Sequence, residues 1–178
     1  MQNEIIVSGF GGQGVLYSGQ LLAYTAMDHG LHVTWIPSYG PEMRGGTANC
    51  TVIVADEEIG SPMVRNPKAV IAFNLPSLNK YEPLVKPGGV LIVNTSMVDR
   101  LPTRKDITVV NLPANDLAEQ AGSNRSLNMV VLGALLAALP IFPLEALIES
   151  MEAHTPERNK RMLPTNIKAL RAGYEFKE

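Results

Sequence analysis

The chain has 178 residues, 46% of them hydrophobic, enough to cover an open sheet on both faces. Its formal charge of −2 and the lack of any Lys/Arg block give no attraction for nucleic acid or an anionic membrane. A single cysteine, Cys50, excludes an internal disulfide, and an iron–sulfur or all-cysteine zinc site built by this chain alone.

Met1-Gln2-Asn3-Glu4 lacks the basic region of a signal peptide, and the apolar run after it is only a strand long, so a cytoplasmic setting is expected. That strand, around Ile5-Ile6-Val7, leads into Gly9-Phe10-Gly11-Gly12-Gln13-Gly14. The segment satisfies G-x-G-x-x-G and opens a helix running to His29, with Gly30 as its stop. Glycines there allow close approach of a ligand or of another backbone, and free N–H groups at the helix start favour an anion. A loop that merely packs strand on helix reads equally well.

A dinucleotide-binding unit carries an acidic residue about 20 positions on, at the end of the second strand, to hold the ribose. Here the second strand is His32 to Pro37, that place holds Val33-Thr34-Trp35-Ile36-Pro37-Ser38, and no carboxylate appears before Glu42, so NAD is a minority reading.

The next segment, Pro37 to Thr47, combines prolines and glycines with Tyr39, Glu42, Met43, Arg44, Gly45 and Gly46. Tyr, Met and Arg are enriched at interface centres, and Arg44 can grip an anion or pair with Glu42. Asn49 to Ala55 reads as a third strand with Cys50 a buried member, and Ile59 closes a short hairpin across Asp56-Glu57-Glu58.

Ala69 to Phe73 and Val90 to Asn94 are buried-strand patterns around a helix near Leu75 to Leu84, and Ile107 to Asn111 is the last strand. Helices come next at Ala114 to Ala121, Leu127 to Leu139 and Pro143 to Ala153. A final one starts at Pro156 with Thr155 as its cap and is kinked by Pro164. Leu127 to Phe142 is shorter than the roughly 20 residues of a membrane span and is broken by Pro140. His29, His32 and His154 have no second metal ligand at suitable spacing, and Asn74 and Asn128 stand where an amide caps a backbone or meets a ligand.

The expected fold is a three-layer α/β/α domain over residues 1–178 with an open mixed sheet and a helical C-terminal part. The two loops, with Asn74-Leu75-Pro76-Ser77-Leu78, Lys86-Pro87-Gly88-Gly89 and Ser126-Leu127-Asn128-Met129, closely resemble the gamma subunit of 2-oxoacid:ferredoxin oxidoreductases.

That resemblance implies oxidative decarboxylation of a 2-oxoacid, 2-oxoglutarate first, with coenzyme A as acyl acceptor and ferredoxin as electron acceptor. Thiamine diphosphate, Mg2+ and iron–sulfur clusters then belong to partner alpha, beta and delta chains, this chain carries no catalytic residue or metal and is inactive alone, and in isolation it admits a homodimer. Gly9, Gly11, Gly12, Gln13, Gly14, Asn74 and Asn128 become candidate coenzyme A residues. Tyr39, Glu42, Met43, Arg44, Gly45 and Gly46 become the candidate partner interface. The rival reading is a stand-alone nucleotide or acyl-CoA binding module.

Overall fold

The structure, a computed structural model, describes residues 1–40 and 46–177. Its strands are β1 (Gln2–Phe10), β2 (His32–Tyr39), β3 (Thr47–Ala55), β4 (Ala69–Ala72), β5 (Val90–Asn94) and β6 (Thr108–Leu112). The helices are α1 (Val15–Asp28), α2 (Leu75–Tyr81), α3 (Ala114–Ala121), α4 (Leu127–Ala138), α5 (Leu144–His154) and α6 (Leu163–Glu175). The strands form one sheet in the order β2-β3-β1-β4-β5-β6, with β3 antiparallel to both neighbours and the pairs from β1 to β6 parallel.

Side-chain alternation along β1 separates two cores. Ile5 and Val7 point into the larger one beneath α1 and α3 to α6, while Ile6 joins Val70, Leu78, Leu91 and Val93 on the α2 side. Helices therefore cover both faces, as expected for a three-layer α/β/α domain. β4 and β5 are buried along their whole length, which is why they read as unbroken apolar runs. β2, at the sheet edge, is only partly covered, and its Ile36 and Tyr39 are exposed.

The mixed sheet was expected from a hairpin at Asp56, and that hairpin does not form. Ile59 pairs with no strand: the Asp56 N–H donates to the Met1 carbonyl (3.2 Å) and its carboxylate meets the N-terminal amine. The reason is topological, because the chain after β3 must pass β1 to reach β4 on its far side. The antiparallel member is instead β3, inserted between β1 and β2.

The last helix also differs from expectation. Thr155 donates its hydroxyl to the Met151 carbonyl (2.6 Å), closing α5 rather than capping a new helix. A 3-10 turn occupies Glu157–Met162, and Pro164 lies in the first turn of α6, where its missing N–H leaves no hydrogen bond unmade.

Two contacts lock the helical layer. α4 and α6 cross with their backbones touching: a Cβ on Gly133 would strike the Leu170 carbonyl oxygen, and one on Gly173 the Val130 carbonyl oxygen. At the C-terminal end of α1, Asp28 accepts from the Ser150 hydroxyl (2.5 Å) and meets His154 Nε2 at 3.0 Å, with His154 stacked on Tyr24 (centroids 4.2 Å apart). Ser150 and His154 both address Asp28, so the trio ties α5 to α1 rather than forming a nucleophile relay.

Gly173→Ala is expected to destabilise the chain by about 2 kcal/mol in chemical denaturation, the overpacking cost of a side chain with no room to move into. The Ser150 hydroxyl, then His154, holds the Asp28 carboxyl below its ordinary value. A carboxylate depressed in the folded state adds stability above its unfolded pKa of about 3.9 and loses it as pH falls through the folded value. The parent is therefore expected to lose stability more steeply than Asp28→Asn on acidification below about pH 4, read as melting temperature against pH.

Candidate functional site

The β1–α1 connection crosses one face of the sheet and the β4–α2 connection the other, so the carboxyl ends of β1 and β4 part into a crevice. Open α/β sheets bind ligands at such a switch point. The glycine loop forms its wall. The Phe10 N–H donates to Gln13 Oε1 (2.6 Å) and the Gln13 N–H to the Phe10 carbonyl (3.2 Å), so four residues close on themselves before α1 begins.

The glycines divide the work unequally. A Cβ on Gly9 would lie 2.8 Å from Phe73 Cβ and 2.9 Å from Val15 Cγ2, so this glycine serves packing. Gly12 (φ +97°) and Gly14 (φ +78°) take left-handed angles that L side chains rarely adopt. Gly12 has open space where a Cβ would point, whereas Gly14 lies against the Asn128 amide. Gly11 donates its N–H to the Gly46 carbonyl (3.0 Å), fastening the loop after β2 to the glycine loop.

Gly14 is the N-cap of α1, where no side chain caps the helix and no acidic residue stands in the first turn. The positive helix end is left for an anion. Two clefts adjoin it. One, about 360 Å³, is lined by Phe10, Gly12, Leu16, Tyr39 and Ala48 among others. The other, about 500 Å³, is lined by Gly12, Gln13, Met97, Asn115, Arg125 and Leu127 among others.

The candidate residues thus separate. Gly11, Gly12, Gln13 and Gly14 line the clefts, and Tyr39, 68% exposed, stands at the mouth of the first. Gln13 lends its side-chain oxygen Oε1 to the loop itself. Asn74 is buried and caps α2 through the Ser77 N–H (3.0 Å); it lines neither cleft. Asn128, 6% exposed, backs Gly14 and opens into a third recess. Of the interface candidates Gly46 is described, while Glu42, Met43, Arg44 and Gly45 lie outside the described residues.

Sequence reasoning passed over Met97, Asn115 and Arg125. Arg125 had a readable signal, since it stands three residues before Asn128, a spacing that puts both on one side of a helical turn. Asn115 is held by Asn94, whose buried amide donates to it at 2.9 Å and also accepts the Ala114 N–H (3.2 Å), tying the end of β5 to the start of α3.

Metal and thiol chemistry find little footing. Among the described residues no three His, Cys, Asp or Glu side chains converge. Burial beneath α1 pushes the Cys50 thiol up to about 11, so it stays protonated near neutral pH. Among the described residues no helix is long and apolar enough to cross a membrane.

The family described as pyruvate ferredoxin/flavodoxin oxidoreductase matches residues 4–176. Ketoisovalerate oxidoreductase subunit VorA of Methanothermobacter marburgensis is 36% identical over 97% of this chain, which spans 36% of that relative's length. The gamma subunit of the keto/oxoacid ferredoxin oxidoreductase of Geobacter sulfurreducens superposes with a TM-score of 0.82 at 30% identity, covering 97% of this chain and 96% of that one. The 2-oxoglutarate:ferredoxin oxidoreductase of Magnetococcus marinus, solved with 2-oxoglutarate, coenzyme A and succinyl-CoA bound, superposes with a TM-score of 0.86 at 26% identity, covering 97% of this chain and 30% of that one.

Proposed function

This chain belongs to the pyruvate ferredoxin/flavodoxin oxidoreductase family, and on that premise we propose that it is the gamma subunit of a 2-oxoacid:ferredoxin oxidoreductase. The assembled enzyme converts a 2-oxoacid, coenzyme A and oxidised ferredoxin to an acyl-CoA, CO2 and reduced ferredoxin. 2-Oxoglutarate is the first substrate to try, supported by the Magnetococcus relative, and ketoisovalerate the second, supported by the Methanothermobacter one. Residues 1–178 act as one gamma-type domain in a cytoplasmic complex with alpha, beta and delta chains.

Thiamine diphosphate and the clusters belong to those partners on this reading: the chain has one cysteine, and it is buried, and among the described residues no acid or histidine group converges to hold either. Coenzyme A, which supplies the thiol that accepts the acyl group, does fit. The observation that carries its assignment is the uncapped, carboxylate-free start of α1 at Gly12 and Gly14, with a cleft on either side. Gly11, Gly12 and Gly14 let a phosphate approach the backbone, and Arg125 adds a positive charge across the second cleft. The chain's own part is binding and orientation, not bond breaking.

Docking falls on the same face. Tyr39 on one side of the glycine loop and Met97 on the other are exposed apolar groups, at 68% and 46%. A partner seated there would bury both and close the clefts from water. Glu42, Met43, Arg44 and Gly45, between Tyr39 and Gly46 in sequence, belong to this proposed interface.

The charge at Gly12 tests the coenzyme A assignment in the complex reconstituted with its partner chains. Gly12→Asp is expected to raise the KM for coenzyme A about tenfold by facing phosphate with carboxylate, while Gly12→Asn, which tolerates the left-handed angle, leaves it near the parent value. Equal effects of the two variants would show that shape alone matters there. Tyr39→Ala is expected to weaken association with the partner chains by about 2 kcal/mol and to leave the melting temperature of the isolated chain nearly unchanged. Sedimentation and thermal unfolding read the two separately.

A further inference from the structure

Behind the glycine loop, a third recess of about 270 Å³ opens between α1, the start of α4 and the 3-10 turn before α6. Tyr17, Arg125, Asn128, Asn159, Arg161 and Asn166 supply its polar lining, and no carboxylate lines it. Neither arginine has an ion-pair partner among the described residues. Glu157 of the same turn is already engaged by Lys160 (2.6 Å). Both arginines are exposed, and two guanidinium groups facing one recess that no carboxylate lines favour an anionic ligand there.

The amides point the same way. Asn128 is 6% exposed, and its side chain makes no hydrogen bond among the described residues, yet it borders the recess. Its amide is therefore free to donate to a ligand oxygen in the recess. Asn166 accepts the Ser126 hydroxyl through Oδ1 (2.7 Å), which fixes its orientation and leaves its NH2 as a donor. Thr155, also in the lining, has already donated its hydroxyl to Met151.

We infer that this recess binds a phosphate-class dianion, with Arg125 and Arg161 balancing its two charges and the Asn128, Asn159 and Asn166 amides meeting its remaining oxygens. Arg125 lines both this recess and the larger cleft beside Gly12. The phosphate can therefore be one carried by the ligand of the glycine loop, or it can be free. The inference stands on these side chains and does not rest on the oxidoreductase reading.

The test uses the full chain and inorganic phosphate, titrated at constant ionic strength against chloride while side-chain amide resonances are monitored. Saturable shifts at Asn128, Asn159 and Asn166 are expected, with affinity falling about tenfold in Arg161→Gln and partly restored in Arg161→Lys. Arg158→Gln, which removes a charge from the same turn without lining the recess, is expected to bind as the parent does. Repeating the titration with saturating coenzyme A separates the sources: competition assigns the phosphate to that ligand, and independent binding assigns it to a free phosphate. Shifts no greater than those with chloride, or equal losses in Arg161→Gln and Arg158→Gln, would overturn the proposal. The readout needs no oxidoreductase activity, so failure here and failure of the functional reading remain distinguishable.

Discussion

At the end of β1 the chain has to leave a strand buried on both faces and enter a helix within four residues, with no side chain in the way. Everything at the carboxyl end of the sheet depends on how that turn is made. Gly9 lets β1 pass close to Phe73 and Val15, and Gly12 and Gly14 supply the left-handed angles that aim the start of α1 into the crevice. The Gln13 side-chain oxygen Oε1, accepting from the Phe10 N–H, holds the turn shut. The turn is stiff, and its exposed N–H groups are aimed before any ligand arrives, a pre-organisation that lowers the cost of binding.

The same turn fixes how the rest is arranged. Because α1 leaves on one face and α2 on the other, the large helical layer and the thin one are segregated, and the crevice falls between them. α4 brings Asn128, and the 3-10 turn leading into it (Asn124–Ser126) brings Arg125, to the back of the glycine loop, with α6 holding α4 there through backbone contact at Gly133 and Gly173. A polar recess beside the loop is therefore built from segments far apart in the chain. On the proposed reading this chain binds and positions while partner subunits perform the redox chemistry, and hydrogen-bond donors gather on this surface.

Local signals carried much of this. The strand, the glycine loop and the helix stop at Gly30 are all encoded within thirty residues, and the buried runs of β4 and β5 needed no tertiary information. The mixed sheet was expected for the wrong reason: Asp56-Glu57-Glu58 before Ile59 suggested a turn, but pairing depends on where β1 and β4 lie, which is a long-range fact. Thr155 and Pro164 were misplaced because a hydroxyl caps either neighbour and a proline either starts or kinks a helix, and packing decides which. Asn74 resolved as a cap, whereas Arg161 and Asn159 were invisible, since nothing near residue 160 signals that it meets residues 17 and 125.

The most direct test of the central claim is backbone amide hydrogen exchange in the assembled complex with and without coenzyme A. The account predicts that Gly11 to Tyr17, the glycine loop and first turn of α1, exchange more slowly when coenzyme A is present, while the amides at Gly133 and Gly173 are unchanged. Unaltered exchange across Gly11 to Tyr17 in a complex that demonstrably binds coenzyme A would contradict it, and would reduce the glycine loop to a packing turn.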